Sequence, residues 1–145
     1  MDKIFERARV KPSRIVLPES EDERILKAAA EAVKEGIAHP ILIGDKGEIV
    51  SRAESLGISL EGVKFVDHCN KELLEKYIKE YLRIRNMPEK KAPVVRRILS
   101  RTLYFGAMMV RMGDADGMIA GAVNTTANVI RAASLIIGMQ EDIKT

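Results

Sequence analysis

Two patterns of apolar and polar positions alternate along the first half of the chain. Short runs rich in apolar residues lie at Arg14–Pro18, Pro40–Gly44 and Val63–Asp67. Such runs are too short for helices and are typical of strands covered on both faces. Between the runs, apolar residues recur every three or four positions, as on one face of a helix. The alternation predicts βαβ units and a parallel sheet with right-handed crossovers.

Each predicted strand is followed by a predicted helix. The expected helices cover about residues 24–35, 46–56, 71–85, 89–112 and 125–137. Ser20 and Glu23 fit a capping box, in which each side chain satisfies a backbone N–H at the start of the first of these helices. Gly36 supplies its left-handed end.

A fourth strand is expected at Asp116–Ala120. Because a doubly wound domain commonly has five or more strands, four strands and a short polar end predict an incomplete domain. The expected fold class is α/β, with three layers and a mostly parallel sheet.

Composition and charge narrow the class of protein. The chain has 145 residues, of which 46% are hydrophobic and 31% charged, as in one folded domain. Its net charge is +3, and the two signs are interspersed, so no nucleic-acid partner is implied. A basic cluster between Lys90 and Arg101 is expected to be a solvated helix face.

The single cysteine, Cys69, excludes an internal disulfide and fits a reducing compartment. No apolar run approaches the length of a membrane span, and the first residues lack the apolar core of a signal peptide. A cytoplasmic protein that is neither exported nor membrane-embedded is expected.

The stretch after the fourth strand offers the clearest candidate chemistry. Asn124 is the expected N-cap of the last helix, and Thr125 and Thr126 then place hydroxyl groups beside unpaired backbone N–H groups. A helix start of this kind attracts phosphate or carboxylate. The stretch therefore predicts an anion site.

Asn124, Asn128 and Arg131 are separated by four and three residues, which would place them on one stripe of that helix. The other faces are apolar, so Arg131 must face either solvent or a cleft. From spacing alone, a capped helix with a solvated arginine and an anion site both remain open.

Other motifs argue against alternative chemistries. Asp67, His68 and Cys69 are consecutive, and consecutive strand residues point to opposite faces, so no metal site is expected. Walker, GxGxxG and GxSxG signatures are absent from the sequence. Helix capping explains Ser20 and Glu23, and no catalytic pair of carboxylates is expected among the acidic residues between positions 19 and 23. Arg85 is explained by the negative end of a helix dipole.

Four stretches together resemble the phosphate acetyl/butyryltransferase family, and the phosphate acetyltransferases within it. They are RIVLPESEDERILKAA at 14–29, GIAHPILIG at 36–44, LYFGAMMVRMGDADGMIAGA at 103–122 and NTTANVIRAA at 124–133. The LPE-x-x-D/E-x-R and YFGAMM...G-x-ADG blocks are specific to this family.

The resemblance implies reversible acyl transfer between CoA and inorganic phosphate, with CoA as a substrate and without a metal or prosthetic group. It implies homodimers whose subunits contain two α/β/α domains of the isocitrate/isopropylmalate dehydrogenase type, with the active site in the cleft between them. Residues 1–145 would be the amino-terminal domain. The catalytic Asp, Ser and Arg would lie in the other half, so this chain is expected to supply no catalytic residue and to be inactive alone.

The resemblance also implies binding residues. Arg131 and Arg85 match family arginines implicated in holding the phosphates of CoA or the acyl phosphate, and Thr125 and Thr126 match a hydroxyl pair. The family often has His at 124, Asp at 128 and Pro at 132, where this chain has Asn124, Asn128 and Ala132. These amides argue against proton transfer at position 124 and leave the acyl preference open.

The expected function is therefore phosphate acetyl transfer, with Arg85, Asn124, Thr125, Thr126, Asn128 and Arg131 in the substrate-binding wall. The alternatives are a phosphate butyryltransferase and a non-catalytic domain that binds an anion or a nucleotide.

Overall fold

The computed structural model describes residues 2–138 and contains a sheet of four parallel strands. The strands are β1 (Ser13–Leu17), β2 (Ala38–Ile43), β3 (Lys64–Val66) and β4 (Gly117–Met118). Their order in the sheet is β3-β2-β1-β4, and all three neighbouring pairs are parallel. The predicted α/β class and parallel sheet are confirmed.

Seven α-helices surround the strands within the described residues. They are α1 (Asp2–Val10), α2 (Glu23–Glu35), α3 (Lys46–Ser55), α4 (Lys71–Ile84), α5 (Ala92–Leu99), α6 (Thr102–Arg111) and α7 (Thr126–Ala132). A 3-10 turn precedes α5 at Glu89–Lys91, and a π-helical turn continues α7 at Ala133–Ile137. Between residues 2 and 138, no helix is both long and apolar enough to cross a bilayer.

Both faces of the sheet are buried, which explains the continuous apolar runs. Val16 and Ile41 belong to the cluster formed with α4, α5, α6 and α7. Their chain neighbours Leu17 and Leu42 belong to the opposite cluster, with α2 and α3. Successive strand residues point to opposite faces, so the buried part of each strand has consecutive apolar residues that serve both clusters. The three-layer architecture follows from this alternation.

The single helix expected at 89–112 is wrong, because α5 and α6 are separate. Arg101 adopts an extended conformation between them, and the Ser100 hydroxyl donates to the Arg97 carbonyl at 2.6 Å. Helix α5 buries only Val95 and Leu99, whereas every residue from Leu103 to Met109 is buried in α6. The break lets α6 enter the core at its own angle while α5 stays amphipathic.

Helix α1 was not predicted, because residues 2–10 are mostly polar and carry no clear apolar stripe. It is fastened to the end of α2 by Arg9, whose guanidinium donates to the Glu35 carbonyl at 2.8 Å and to the Glu35 carboxylate at 2.9 Å.

The turn between α6 and β4 is fixed at the amino edge of the sheet. The Arg14 guanidinium donates to the Asp116 carboxylate and to the Gly113 carbonyl, both at 3.0 Å. The Asp116 backbone N–H donates in return to the Arg14 carbonyl at 2.8 Å. The Tyr77 hydroxyl donates to the Asp114 carboxylate, and burial together with this bond raises the pKa of Tyr77. The GDADG sequence is therefore a structural turn that sets where β4 begins.

Candidate functional site

The order of the strands places a crevice between β1 and β4. The chain runs outward from β1 to β2 and β3, and then returns to the other side of β1 to form β4. In open α/β sheets, ligands bind outside the carboxyl ends of the strands where the order reverses in this way. Residues 18–22 follow β1 and residues 119–125 follow β4, so these two segments form the walls of the crevice.

The two segments are joined through Glu19, which is 1% exposed. One oxygen of its carboxylate accepts from the backbone N–H groups of Gly121 at 2.8 Å and Ala122 at 3.0 Å. The other accepts from the N–H groups of Val123 and Asn124, each at 2.6 Å, and from the Asn124 side-chain amide at 3.1 Å. Gly121 has a φ of 124°, a conformation that favours glycine, and it begins this 121–124 loop.

These hydrogen bonds set the charge state of Glu19. Burial alone would raise the pKa of Glu19, but the backbone hydrogen bonds from the 121–124 loop outweigh it and lower that pKa below its ordinary value. Glu19 is therefore an ionised carboxylate at neutral pH. The N–H groups of the four residues that precede the cap of the last helix are thus bonded to an internal anion.

A second contact holds the same loop from the side of α2. Asp22 is the N-cap of α2 and accepts from the Arg24 backbone N–H at 2.8 Å. The Arg24 guanidinium donates to the Asp22 carboxylate at 2.8 Å and to the Ala122 carbonyl at 2.9 Å. Arg24 thus bonds to a carbonyl of the loop whose N–H groups bond to Glu19.

The predicted capping box of Ser20 and Glu23 is wrong. The helix begins one residue after Asp22, which supplies the cap. The Ser20 hydroxyl instead donates to the Ile43 carbonyl at 2.8 Å, and Glu23 pairs with Lys27 at 3.0 Å. A tight turn, in which the Asp22 N–H donates to the Glu19 carbonyl, moves Ser20 away from the helix start and onto the end of β2.

The N-cap of α7 is Thr125, not Asn124 as predicted. Its hydroxyl accepts from the Asn128 N–H at 3.2 Å. Asn124 precedes this cap, and its backbone N–H and side-chain amide nitrogen both donate to Glu19. Asn124 therefore lies outside the helix, and the predicted stripe is reduced to Asn128 and Arg131.

The remaining candidates on α7 are open to solvent. Thr125, Thr126 and Arg131 are exposed, and Asn128 is half-buried. Among residues 2–138, Arg131 has no ion-pair partner. Two hydroxyl groups at the start of α7 and a guanidinium in its last turn are thus exposed, and all three are groups suited to phosphate oxygens.

Arg85 does not join this group. It is the exposed C-cap of α4, a helix whose Tyr77 already bonds to Asp114 at the amino edge of the sheet. Arg85 lies eight residues beyond Tyr77. A rise of about 1.5 Å per residue places it roughly 12 Å from Tyr77 along the helix axis. Within this domain, Arg85 and Thr125 lie towards opposite edges of the sheet.

Residues 67–69 do not lie in a strand, as was predicted, but directly after β3. Asp67, His68 and Cys69 follow β3 in a turn, where side chains do not alternate between faces, and their potential ligand atoms lie within 4.8 Å of one another. They border a hollow of about 500 Å³ at the carboxyl edge of β2 and β3. That the protein needs no metal stays a prediction.

The comparison with known protein families identifies the chain. The sequence profile described as phosphate acetyl/butaryl transferase matches residues 1–145. The chain belongs to this family. The resemblance carried by the four sequence blocks is thereby confirmed.

Individual relatives agree with the profile. Phosphate acetyltransferase from Acetivibrio thermocellus is 44% identical over 137 residues, which are 94% of this chain and 41% of that protein. Among solved structures, EutD phosphotransacetylase from Staphylococcus aureus matches 99% of this chain and 43% of its own with a TM-score of 0.88 and 28% identity. A phosphotransacetylase from Streptococcus pyogenes matches all of this chain and 45% of its own, with a TM-score of 0.86 and 29% identity. The chain thus spans less than half the length of these relatives.

The structure explains why two separate blocks of the family sequence occur together. The polar residues Glu19, Asp22 and Arg24 of the LPESEDER block bond to one another or to the 121–124 loop. Only Ser20 and Glu23 of this segment were predicted to cap the helix, and no role was predicted for Glu19. A signal was present, because four consecutive N–H groups in a loop beside a sheet edge need an acceptor.

The Asp22 and Arg24 contact predicts a pH dependence. The guanidinium and backbone hydrogen bonds of Arg24 lower the pKa of Asp22 to about 2. Because the folded-state pKa lies below the unfolded value of about 3.9, this contribution to stability is complete above pH 4 and is lost as the pH falls towards 2. Asp22→Asn, which can still cap, is therefore expected to lose less stability between pH 5 and 2, as measured by urea unfolding.

Arg24→Met provides the matched variant, since it keeps the carboxylate and removes the cation. Arg24→Met should likewise lose less unfolding free energy than wild type between pH 5 and 2. If both variants lost as much unfolding free energy over this pH range as wild type, the Asp22 and Arg24 pair would not contribute to stability in acid.

Proposed function

We propose that this chain is the amino-terminal domain of a phosphate acetyltransferase, which transfers an acetyl group reversibly between CoA and inorganic phosphate. The observation that carries the proposal is the β1–β4 crevice with exposed Thr125, Thr126 and Arg131, in a chain whose relatives are named phosphate acetyltransferases. Hydroxyl groups and a guanidinium can bind phosphate oxygens with charge-assisted hydrogen bonds.

In this proposal the domain forms one wall of a cleft whose other wall is a second domain. Thr125 and Thr126 donate to phosphate oxygens, and Arg131 neutralises their charge. Asn124 contributes chiefly by fixing the 121–124 loop, since its amide nitrogen bonds to Glu19. Asn128 lies on the first turn of α7, and Arg85 would meet a more distant part of CoA or a neighbouring subunit.

The catalytic Asp, Ser and Arg belong to the second domain in this scheme, so the 145-residue chain has no turnover of its own. A homodimer in the cytoplasm is part of the same proposal, supported by the family resemblance and by the single thiol. The proposed substrates are CoA and acetyl phosphate in one direction, and acetyl-CoA and phosphate in the other, without a metal or bound cofactor.

Phosphate butyryl transfer is the second candidate, because the family profile covers both acyl groups. The non-catalytic alternative, a domain that binds an anion or a nucleotide, needs only the start of α7 and Arg131, and acetyl transfer by the complete enzyme would exclude it.

An assay of CoA release tests the proposal. The complete enzyme is expected to release thiol from acetyl-CoA in the presence of phosphate, with a kcat/KM about tenfold or more above that for butyryl-CoA. The 145-residue chain is expected to give no signal above buffer. Turnover by that chain would refute the division of roles between the domains, and a preference for butyryl-CoA would favour the second candidate.

A further inference from the structure

The chemistry proposed above does not use the one charged side chain that is buried among the described residues. Apart from Ser20, Glu19 is the only polar or charged residue between residues 2 and 138 that is buried. An ionised carboxylate is costly to bury unless hydrogen bonds replace its hydration. Glu19 receives five, all from residues 121–124.

The partners of Glu19 are distant in sequence but adjacent to the proposed phosphate-binding residues. The bonds span 102 to 105 residues of chain. Asn124, which makes two of them, is followed directly by Thr125, the cap of α7. Any displacement of Asn124 therefore displaces the first hydroxyl of the proposed site.

Glu19 is itself held in place. Its carbonyl accepts from the Asp22 N–H at 3.1 Å, and the neighbouring Ser20 hydroxyl bonds to the Ile43 carbonyl. Only Pro18 separates Glu19 from Leu17, the last residue of β1. The carboxylate is thus attached to the rigid sheet, and the loop is attached to the carboxylate.

We propose that Glu19 is a positioning residue for the phosphate-binding site, and that its carboxylate acts as an internal anion that shapes the 121–124 loop so that Thr125 and Thr126 face the substrate. The inference rests on the function proposed above. Because Glu19 occupies the loop N–H groups, the substrate phosphate binds to side-chain hydroxyls and a guanidinium instead of to the loop backbone.

Glu19→Gln is the sharpest test, because it keeps the shape and replaces one acceptor oxygen by an NH₂ donor. On either side of the carboxylate at least two N–H groups donate, so the amide donor must face donors whichever way it turns. Glu19→Asp keeps the charge on a shorter side chain. Glu31→Gln is the matched control, since Glu31 is exposed on α2 and lies outside the segments that border the crevice.

The measurement is made on the complete enzyme, with KM determined separately for inorganic phosphate and for acetyl-CoA. Glu19→Gln is expected to raise at least one KM by about tenfold or more, with a smaller change in kcat. The KM values of Glu19→Asp should lie between those of Glu19→Gln and wild type, and those of Glu31→Gln should match wild type. The substrate whose KM rises identifies which phosphate the site binds.

A purely structural role gives a different result. If Glu19→Gln only reduced the folded fraction, kcat would fall and both KM values would stay at the wild-type level. That outcome, or wild-type kinetics, overturns the proposal. Amide hydrogen exchange adds a direct readout, since the N–H groups of residues 121–124 should lose protection in Glu19→Gln while those of β1 and β2 keep it.

The two proposals can fail separately. If the wild-type enzyme shows no acetyl transfer, the proposed function fails, and calorimetric titration with inorganic phosphate and with CoA then tests the positioning role alone. Weaker binding by Glu19→Gln than by wild type supports that role. Equal binding by both proteins, or binding by neither, overturns it.

Discussion

Phe105→Ala is expected to lower the free energy of unfolding by about 4 kcal/mol, as is typical when a fully buried aromatic side chain is truncated. Phe105 is 0% exposed at the centre of α6. Its ring centroid lies 5.0 Å from that of Tyr77 and 6.2 Å from that of His68. The substitution leaves a cavity between α6, α4 and the turn after β3, and close packing prevents the neighbours from filling it.

Urea unfolding of the wild type and the variant measures this loss, with Val94→Ala as the control. Val94 lies on α5 and is 48% exposed, so its truncation should change the stability by less than about 0.5 kcal/mol. Phe105→Leu keeps most of the volume and should lose much less than Phe105→Ala. A loss below about 1.5 kcal/mol in Phe105→Ala would show that the core is not organised around this ring.

The elements that hydrophobic periodicity predicted correctly are those in which local pattern and burial agree. Strands β1 and β2 are apolar at consecutive positions because each residue meets one of two buried layers. Helices α2 and α4 show one apolar face because each packs on the sheet from one side.

The wrong predictions concern features that depend on contacts between residues distant in the sequence, which a local pattern does not reveal. Residues 89–112 read as one helix because each half is individually helical, and only tertiary packing forces the break at Ser100 and Arg101. The shift of the α7 cap from Asn124 to Thr125 depends on Glu19, which is 105 residues away from Asn124 in the chain. The sequence pattern predicted the last helix, but it did not indicate that Glu19 would accept hydrogen bonds from the loop that precedes this helix.

The anion site at the start of the last helix stays a prediction. The N–H groups that bond to Glu19 belong to residues 121–124, before the Thr125 cap, and are not those of the first helical turn. The side chains of Thr125, Thr126 and Arg131 are exposed, so they can contact a substrate directly.

Arg131→Ala in the complete enzyme is expected to reduce kcat/KM for acetyl transfer by about 100-fold, which corresponds to about 2.7 kcal/mol of transition-state stabilisation. Arg131 is exposed on α7 and has no ion-pair partner within residues 2–138, so its charge is available to a phosphate. Arg131→Lys keeps the charge but loses the planar pair of donors, and should recover only part of the activity.

Steady-state kinetics with each substrate varied in turn separates the possible roles of Arg131. A higher KM at constant kcat would mean that the guanidinium binds the phosphate equally in the ground and transition states. A lower kcat would mean that it acts on charge that develops during transfer.

Arg97→Ala, which removes an exposed arginine from α5, is the matched control and should match wild type. Because the Arg131 side chain is exposed and forms no ion pair within residues 2–138, its removal should leave the unfolding temperature unchanged, and unchanged kinetics would remove it from the site.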